Sequence, residues 1–481
     1  MIAALFIYNQ SDTMGGLFGV VSKKKCVSDL FYGVDYHSHL GTKRGGMAVI
    51  NSDGSLARSI HSLKQSYFRV KFEPDLNKFD GRMGIGAISD SESQPIAVHS
   101  HLGRFAICTV MKLSNVDSLA EEVLSEGKIF TELSDGSTNA TELVAQLLNR
   151  GDTFAEGIRY MQSRIEGSCS MLILTDGGII AARDFYGRTP LIIGRNGDGY
   201  AVASESCSMI NLGYDYLREL GPGEAVMLTP DSIEQILPPE GKLHICSFLW
   251  IYYGFPAASY EGVNVDQARR NMGRIMGEQD DIEADLVSPI PDSGNCMAIG
   301  YSEGAGVPLR NAVVKYTPTW PRSFMPIDQT TRSLVAKMKL IPNYGLMKDK
   351  RVVFCDDSIV RGTQLRDNVE IFRRHGAGEV HIRISCPPLV YPCPYLNFSA
   401  SKSPLEFVTR RTIQQLEGDH DKNLSEYSRY GSPCYCKMVE AIRSNLKMNS
   451  LKFNSVQSVV EAIGLPKECL CTHCFDGSGD N

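Results

Sequence analysis

The segment Arg351–Val369, RVVFCDDSIVRGTQLRDNV, restricts the fold of this chain more than any other. Val352–Cys355 is an apolar run of the kind that is buried on both faces of a parallel sheet. Two adjacent carboxylates, Asp356 and Asp357, follow at the strand's end. Ser358, Ile359, Val360, Arg361, Gly362, Thr363 and Gln364 then turn into a helix, with Gly362 letting the backbone approach a ligand closely. Such a turn offers backbone N–H groups and a helix N-terminus to a phosphate. The paired carboxylates suit ribose hydroxyls, held directly or through Mg2+. Two acids alone would equally suit a solvated acidic turn.

The surrounding rhythm agrees with a parallel sheet. Val265–Glu278 has helical spacing, Ala284–Ile290 is an apolar strand, and Cys296–Gly304 continues as a helix. Leu365–His375 reads as a further helix and Glu379–Ser385 as a further strand. Repeated strand–loop–helix units predict a doubly wound parallel sheet with its functional loops at the carboxyl ends of the strands. The last eighty or so residues read as mostly helical. The first half differs. Ser170–Leu174, Gly178–Ala182, Pro190–Gly194 and Tyr200–Ala203 are short, closely spaced runs that predict antiparallel strands. A chain of 481 residues exceeds one core. The boundaries expected are an extension over 1–14, one domain over 15–238 and a second over 239–481.

Composition narrows the partners. A net charge of −6 argues against a nucleic-acid or anionic-membrane surface. No apolar run is long enough to span a bilayer. Met1–Tyr8 is apolar but lacks the basic flank of a signal peptide, so it reads as a short extension or as sequence upstream of a start at Met14. A cytoplasmic setting is expected, where the fourteen cysteines stay reduced and several serve as ligands.

The string from Val352 to Gln364 closely resembles the sugar-phosphate loop of type I phosphoribosyltransferases, and specifically of the glutamine-dependent amidophosphoribosyltransferases, which open purine biosynthesis. The similarity runs from residue 15 to about 475. Ser288–Tyr301, SPIPDSGNCMAIGY, resembles that family's pyrophosphate segment, and Gly376–Pro388 matches almost without change. By this resemblance Asp292, Ser293 and Gly294 cradle the diphosphate. Ser293, Asp356 and Asp357 lie at Mg2+, and Asp356, Asp357, Arg332 and Lys315 carry catalysis. Ser358–Gln364 and Lys337 bind substrate; Lys339 is a further matched basic position, and Lys315 and Arg322 bracket the family's flexible loop. The fold implied is an N-terminal-nucleophile-type four-layer αββα domain followed by a phosphoribosyltransferase sheet. The partners implied are 5-phosphoribosyl-1-pyrophosphate, ammonia and purine nucleotides, in a homo-oligomer. Gln364 departs from the family, which has a second threonine there.

Cys471-Thr-His-Cys474 is a C-x-x-C that suits zinc or a thiol pair. In the bacterial branch of the family a like motif joins two distant cysteines, matched here by Cys246 and Cys393, around a [4Fe–4S] cluster. Four thiolates suit iron–sulfur and zinc alike, so the cluster is implied by the resemblance alone. Cys469 leaves open which thiols of the tail ligate. The pairs His37/His39 and His99/His101 read as ordinary surface histidines rather than a metal site.

The family begins with a catalytic cysteine whose own α-amino group is its base. Here Gly15 stands at that position. The family's Arg-Tyr falls on Ala87-Ile88, its oxyanion Asn-Gly on Val110-Met111, and its acid near Asn139 or Ala140. The first domain is therefore expected to be a glutaminase fold without glutaminase chemistry. Lys315–Pro326, matched to the family's closing loop, is also altered. Two functions follow: formation of 5-phosphoribosylamine from the sugar diphosphate with ammonia, or a non-catalytic paralogue that binds the same ligands and regulates an intact enzyme.

Overall fold

The computed structural model describes residues 14–64, 66–316, 340–397 and 403–479. The chain forms two compact units. One runs to Ile245 and takes in 393–397; the other holds 246–316, 340–392 and 403–479.

The first unit is a sandwich of a seven-stranded and a six-stranded sheet, antiparallel in the pairings described. The central strands are apolar throughout: Gly16–Ser22 and Gly167–Thr175 bury nearly every residue because both of their faces are covered. Between the sheets lie Leu17, Val21, Ile85 and Val202 from one and Cys108, Leu172, Leu174 and Val226 from the other. Helices Ala140–Leu148 and Phe154–Arg164 cover the outer face of the six-stranded sheet through Leu143, Leu147, Ile158 and Met161. Helix Val27–Tyr36 covers the seven-stranded sheet, where Leu30 and Val34 lie against Gly84 and Gly86. The result is the αββα layering expected of the first half.

The second unit is built on four parallel strands in the order Leu286–Pro289, Arg351–Asp356, Glu379–Ile384, Ser450–Phe453. Side chains of the Arg351–Asp356 strand alternate between the faces. Val353 and Cys355 join Val287, Met297 and Tyr301 on one side, while Phe354 stacks on Phe372 of helix Thr363–Arg374 at 4.2 Å on the other. Helices Val265–Glu278 and Asn295–Ala305 approach unusually closely through Gly273, Gly277, Gly300 and Gly304; a Cβ on Gly300 would lie 1.9 Å from the Arg270 carbonyl. Arg383, itself buried, is neutralised by Asp280, which also accepts from Tyr301 at 2.7 Å and Lys452 at 2.8 Å. These partners hold the Asp280 carboxyl down at about 2, against the opposing pull of burial.

The tail is mostly helical, as the pattern predicts, but Ser450–Phe453 adds a fourth strand that sequence did not suggest.

Candidate functional site

Both segments expected to bind ligand lie at carboxyl ends of neighbouring parallel strands. Strand Leu286–Pro289 leads into Pro291–Gly294, whose Pro291–Asp292 bond is cis, and helix Asn295–Ala305 begins directly after. Strand Arg351–Asp356 leads into the second turn and helix Thr363–Arg374. The two turns touch: the Ser293 hydroxyl donates to Asp356 Oδ1 at 3.0 Å, and Ile290 N–H to the Cys355 carbonyl at 2.9 Å. Gly294 lies against that same Cys355 carbonyl. Asp292 pairs with Lys315, at the end of the short strand Val313–Lys315. Asp292, Ser293, Gly294, Lys315, Asp356 and Asp357 thus gather at one edge of the sheet. Arg322, Arg332, Lys337 and Lys339 lie outside the described residues.

The acidic pair is electrostatically stressed. Burial first, and then the neighbouring Asp357 carboxylate, push the Asp356 carboxyl well above the usual range. Asp356 accepts from Ser293 and from the Asp357 N–H at 3.0 Å; Asp357 accepts from the Ser358 hydroxyl at 2.5 Å. Neither carboxylate has an ion-pair partner among the described residues. Two adjacent carboxylates without a counter-cation suit a divalent metal or a set of sugar hydroxyls.

Beyond the acids the turn runs straight into a helix N-terminus. Gly362 takes φ +72°, which a side chain would strain, and helix Thr363–Arg374 starts there. Thr363 and Gln364 occupy its exposed first turn, where backbone N–H groups have no partner within the helix. Arg361 pairs with Glu406 at 2.5 Å. Sequence reading did not single out Glu406, Val408 or Arg411, which bind the turn from beneath: Val408 N–H donates to the Val360 carbonyl at 2.8 Å, and Arg411 to the Arg361 carbonyl.

Of the four cysteines, three belong to the second unit. Ser247 gives its N–H, at 3.2 Å, and its hydroxyl, at 2.8 Å, to the Cys471 carbonyl, which brings Cys246 beside Cys471. The Cys474 carbonyl accepts from Val390 at 3.0 Å and Tyr391 at 3.1 Å. Cys246, Cys471 and Cys474 are all buried. Cys393 falls with the first unit, where its sulfur accepts the Leu396 N–H at 3.3 Å and its carbonyl the Lys112 ammonium at 2.5 Å.

In the first unit Gly15 sits at φ +84° with its N–H on the Leu40 carbonyl at 2.7 Å. A Cβ there would lie 2.9 Å from the Ile88 carbonyl and 3.5 Å from Val110 Cγ2. The surroundings of Gly15 therefore include Ile88 and Val110, both apolar and buried. Nearby positions close on themselves through hydrogen bonds. Gln94 exchanges two bonds with Thr109, at 2.9 and 2.6 Å, and Thr109 meets Thr141 at 2.8 Å. Asn139 caps helix Ala140–Leu148 and donates to Ser134, which donates to Glu92 at 2.6 Å. His37 corrects the surface reading: it is fully buried, its Nδ1 2.7 Å from the Gly33 carbonyl and its Nε2 without a partner among the described residues, and burial lowers its pKa to about 4. His39 is also drawn inward, 2.9 Å from the buried Glu205.

Comparison with known proteins connects these two regions. A sequence profile for a glutamine amidotransferase domain matches residues 80–211. The amidophosphoribosyltransferase of Bacillus subtilis is 31% identical over 478 residues, covering 96% of this chain and 93% of that protein. The amidophosphoribosyltransferase of Methanocaldococcus jannaschii is 30% identical, covering 96% and 97%. The structure of glutamine phosphoribosylpyrophosphate amidotransferase from B. subtilis, complexed with ADP and GMP, superposes with a TM-score of 0.83 at 30% identity, covering 97% of each chain. An antiparallel sandwich and a parallel sheet with two touching turns at its carboxyl ends, matched over nearly the whole length at this identity, make the chain a member of the amidophosphoribosyltransferase family.

Proposed function

We propose that the chain forms 5-phosphoribosylamine from 5-phosphoribosyl-1-pyrophosphate and ammonia, the opening step of purine biosynthesis, and that it has lost the use of glutamine. The observation that carries the second clause is Gly15. It has no nucleophile, and its backbone stands in a conformation where a side chain would meet the Ile88 carbonyl. The positions matched to the family's glutamine-gripping and oxyanion groups carry Ala87, Ile88, Val110 and Met111, none of which offers a charged or polar side chain to glutamine.

The second unit supports the first clause. Asp356 and Asp357 would orient the ribose hydroxyls, and Ser358–Gln364 would hold the 5′-phosphate on backbone N–H groups. Asp292, Ser293, Gly294 and Lys315 would cradle the pyrophosphate, with Arg332 and Lys337 as further cationic partners. Bond breaking at the anomeric carbon builds positive charge on the sugar and negative charge on the leaving group. Lys315, paired with Asp292, would exchange that partner for the departing diphosphate. Uncharged ammonia needs no strong base, so the groups that bind are the groups that catalyse. Ser293, Asp356 and Asp357 fit Mg2+, because a cation there would relieve the charge stress on Asp356. Mg2+ would supply positive charge to the diphosphate.

Cys246, Cys393, Cys471 and Cys474 are read as ligands of a [4Fe–4S] cluster. Three buried thiols, and a backbone N–H donating to the fourth sulfur, suit metal-bound thiolates. Iron and sulfide analysis of anaerobically prepared protein tests this; stoichiometric zinc would contradict it. Purine nucleotides and a second copy of the chain are expected partners, and a cytoplasmic setting is the expected compartment. No helix among the described residues is long and apolar enough to cross a membrane.

The reaction is tested by pyrophosphate release from purified protein given the sugar diphosphate, Mg2+ and ammonium at mildly alkaline pH. Turnover supports the enzyme. Binding of the sugar diphosphate without turnover on either nitrogen source would mark a regulatory paralogue instead.

A further inference from the structure

The turn Ser358–Gly362 is held from beneath by a segment some fifty residues later. Val408 N–H binds the Val360 carbonyl at 2.8 Å, and the Arg411 guanidinium binds the Arg361 carbonyl. The same guanidinium is fixed by the Leu405 carbonyl at 3.3 Å and the Glu406 carbonyl at 3.0 Å. Val408 also packs under Gly362, where a Cβ would meet Val408 Cγ2 at 3.3 Å.

The consequence follows from peptide geometry. In a trans peptide the C=O and N–H of one unit point in opposite directions. The cis bonds of the chain lie elsewhere, at Gln94–Pro95 and Pro291–Asp292. With the Val360 and Arg361 carbonyls both drawn toward 408–411, the N–H groups of Arg361 and Gly362 must face away from it. None of the N–H groups of Val360, Arg361, Gly362 and Thr363 donates to an acceptor among the described residues. The Arg361 and Gly362 donors thus face the same way and lead into the N-terminus of a twelve-residue helix. Arg411 is half-buried, and burial, with Arg361 and Arg366 nearby, pulls its pKa down. Its cluster carries more positive charge than Glu406 balances.

We propose that Arg411 is a positioning residue for the phosphoribosyl substrate. It holds the Arg361 carbonyl so that the Arg361 and Gly362 N–H groups face the 5′-phosphate monoester. Arg411 itself does not touch the reacting atoms. This rests on the reading of Ser358–Gln364 as the sugar-phosphate loop.

The test uses the full chain and two simple probes: ribose 5-phosphate for the loop, and inorganic pyrophosphate with Mg2+ for the Asp292–Gly294 turn. Arg411→Met should weaken ribose 5-phosphate about tenfold, the loss of one charge-assisted hydrogen bond. It should leave pyrophosphate affinity unchanged and raise KM for the sugar diphosphate far more than it lowers kcat. Arg411→Lys, which keeps one charged donor, should recover part of the loss. Val408→Pro supplies an independent variant, since proline is tolerated at the first position of helix Val408–Glu417 but removes the N–H held by Val360. It should reproduce the loop-specific loss with Arg411 intact. Equal weakening of both probes, or unchanged ribose 5-phosphate affinity in Arg411→Met, would overturn the proposal. If the unaltered protein binds pyrophosphate but not ribose 5-phosphate, the loop reading itself fails before Arg411 is in question.

Discussion

The surroundings of Gly15 and of Asp356 are matched to two active sites of one family, yet they complete their polar groups to different degrees. Around Asp356 the groups are left incomplete. Two carboxylates stand together with no cationic partner among the described residues, one of them pushed up by burial and by its neighbour, and consecutive backbone N–H groups meet no acceptor among those residues. Beside Gly15, the run from Gln94 through Thr109 and Thr141, and from Asn139 through Ser134 to Glu92, finds its partners within the protein. Unmet polar groups cost stability unless a ligand completes them. Retained unmet groups are what the proposed binding role of the Asp356 turn requires, and internal pairing is what the proposed scaffold role of the Gly15 region requires, His37 Nε2 being its exception.

The largest effect that would break this contrast concerns the acidic pair. Asp356→Asn should lower kcat/KM with ammonium by about a hundredfold or more, because it removes a group that orients the sugar. The same variant should melt no lower than the parent without ligand, since it removes a buried charge beside Asp357. A clear fall in Tm would show that the pair serves the fold rather than the ligand.

Next in size is the scaffold beneath that site. Asp280→Asn should cost about 3 kcal/mol in chemical denaturation, because it strands the buried Arg383. The Asp280 carboxyl is held down at about 2, so its contribution is complete at neutral pH. That contribution should fade as pH falls from about 4 through about 2. A pH-independent denaturation midpoint across that window would contradict the assignment.

Gly15→Cys should give no glutamate release from glutamine and should destabilise the protein by about 1 kcal/mol or more, the cost of a side chain at positive φ with a 2.9 Å carbonyl contact. Restored glutaminase activity from this one change would mean that the pocket is intact. The smallest effect is expected at Glu92, whose carboxyl is pushed up by burial. Glu92→Gln keeps an acceptor for Ser134 and the Ala140 N–H, and should shift stability by no more than about 0.5 kcal/mol with turnover unchanged.

Where the sequence was readable, the information was local. Strand, acids, turn and helix follow one another within Arg351–Val369, so their chemistry is visible without the fold. The helix over Val265–Glu278 shows its period in the same way. Ser450–Phe453 was not visible, because four residues carry no period and the strand exists only by pairing with His381–Ile384. Arg411 was not visible either; its partner lies fifty positions earlier and is a backbone carbonyl, which no side-chain pattern records. His37 misled because a histidine pair in sequence says nothing about which helix end it caps or what covers it.

The source of the nitrogen separates the two units' roles most directly. Pyrophosphate and glutamate should be measured in the same sample, with the sugar diphosphate and Mg2+ present and glutamine and ammonium supplied in turn. Pyrophosphate that appears with ammonium while glutamate stays at background with glutamine is the expected result. Glutamate and pyrophosphate released together from glutamine, in equal amounts, would contradict the loss of the first site.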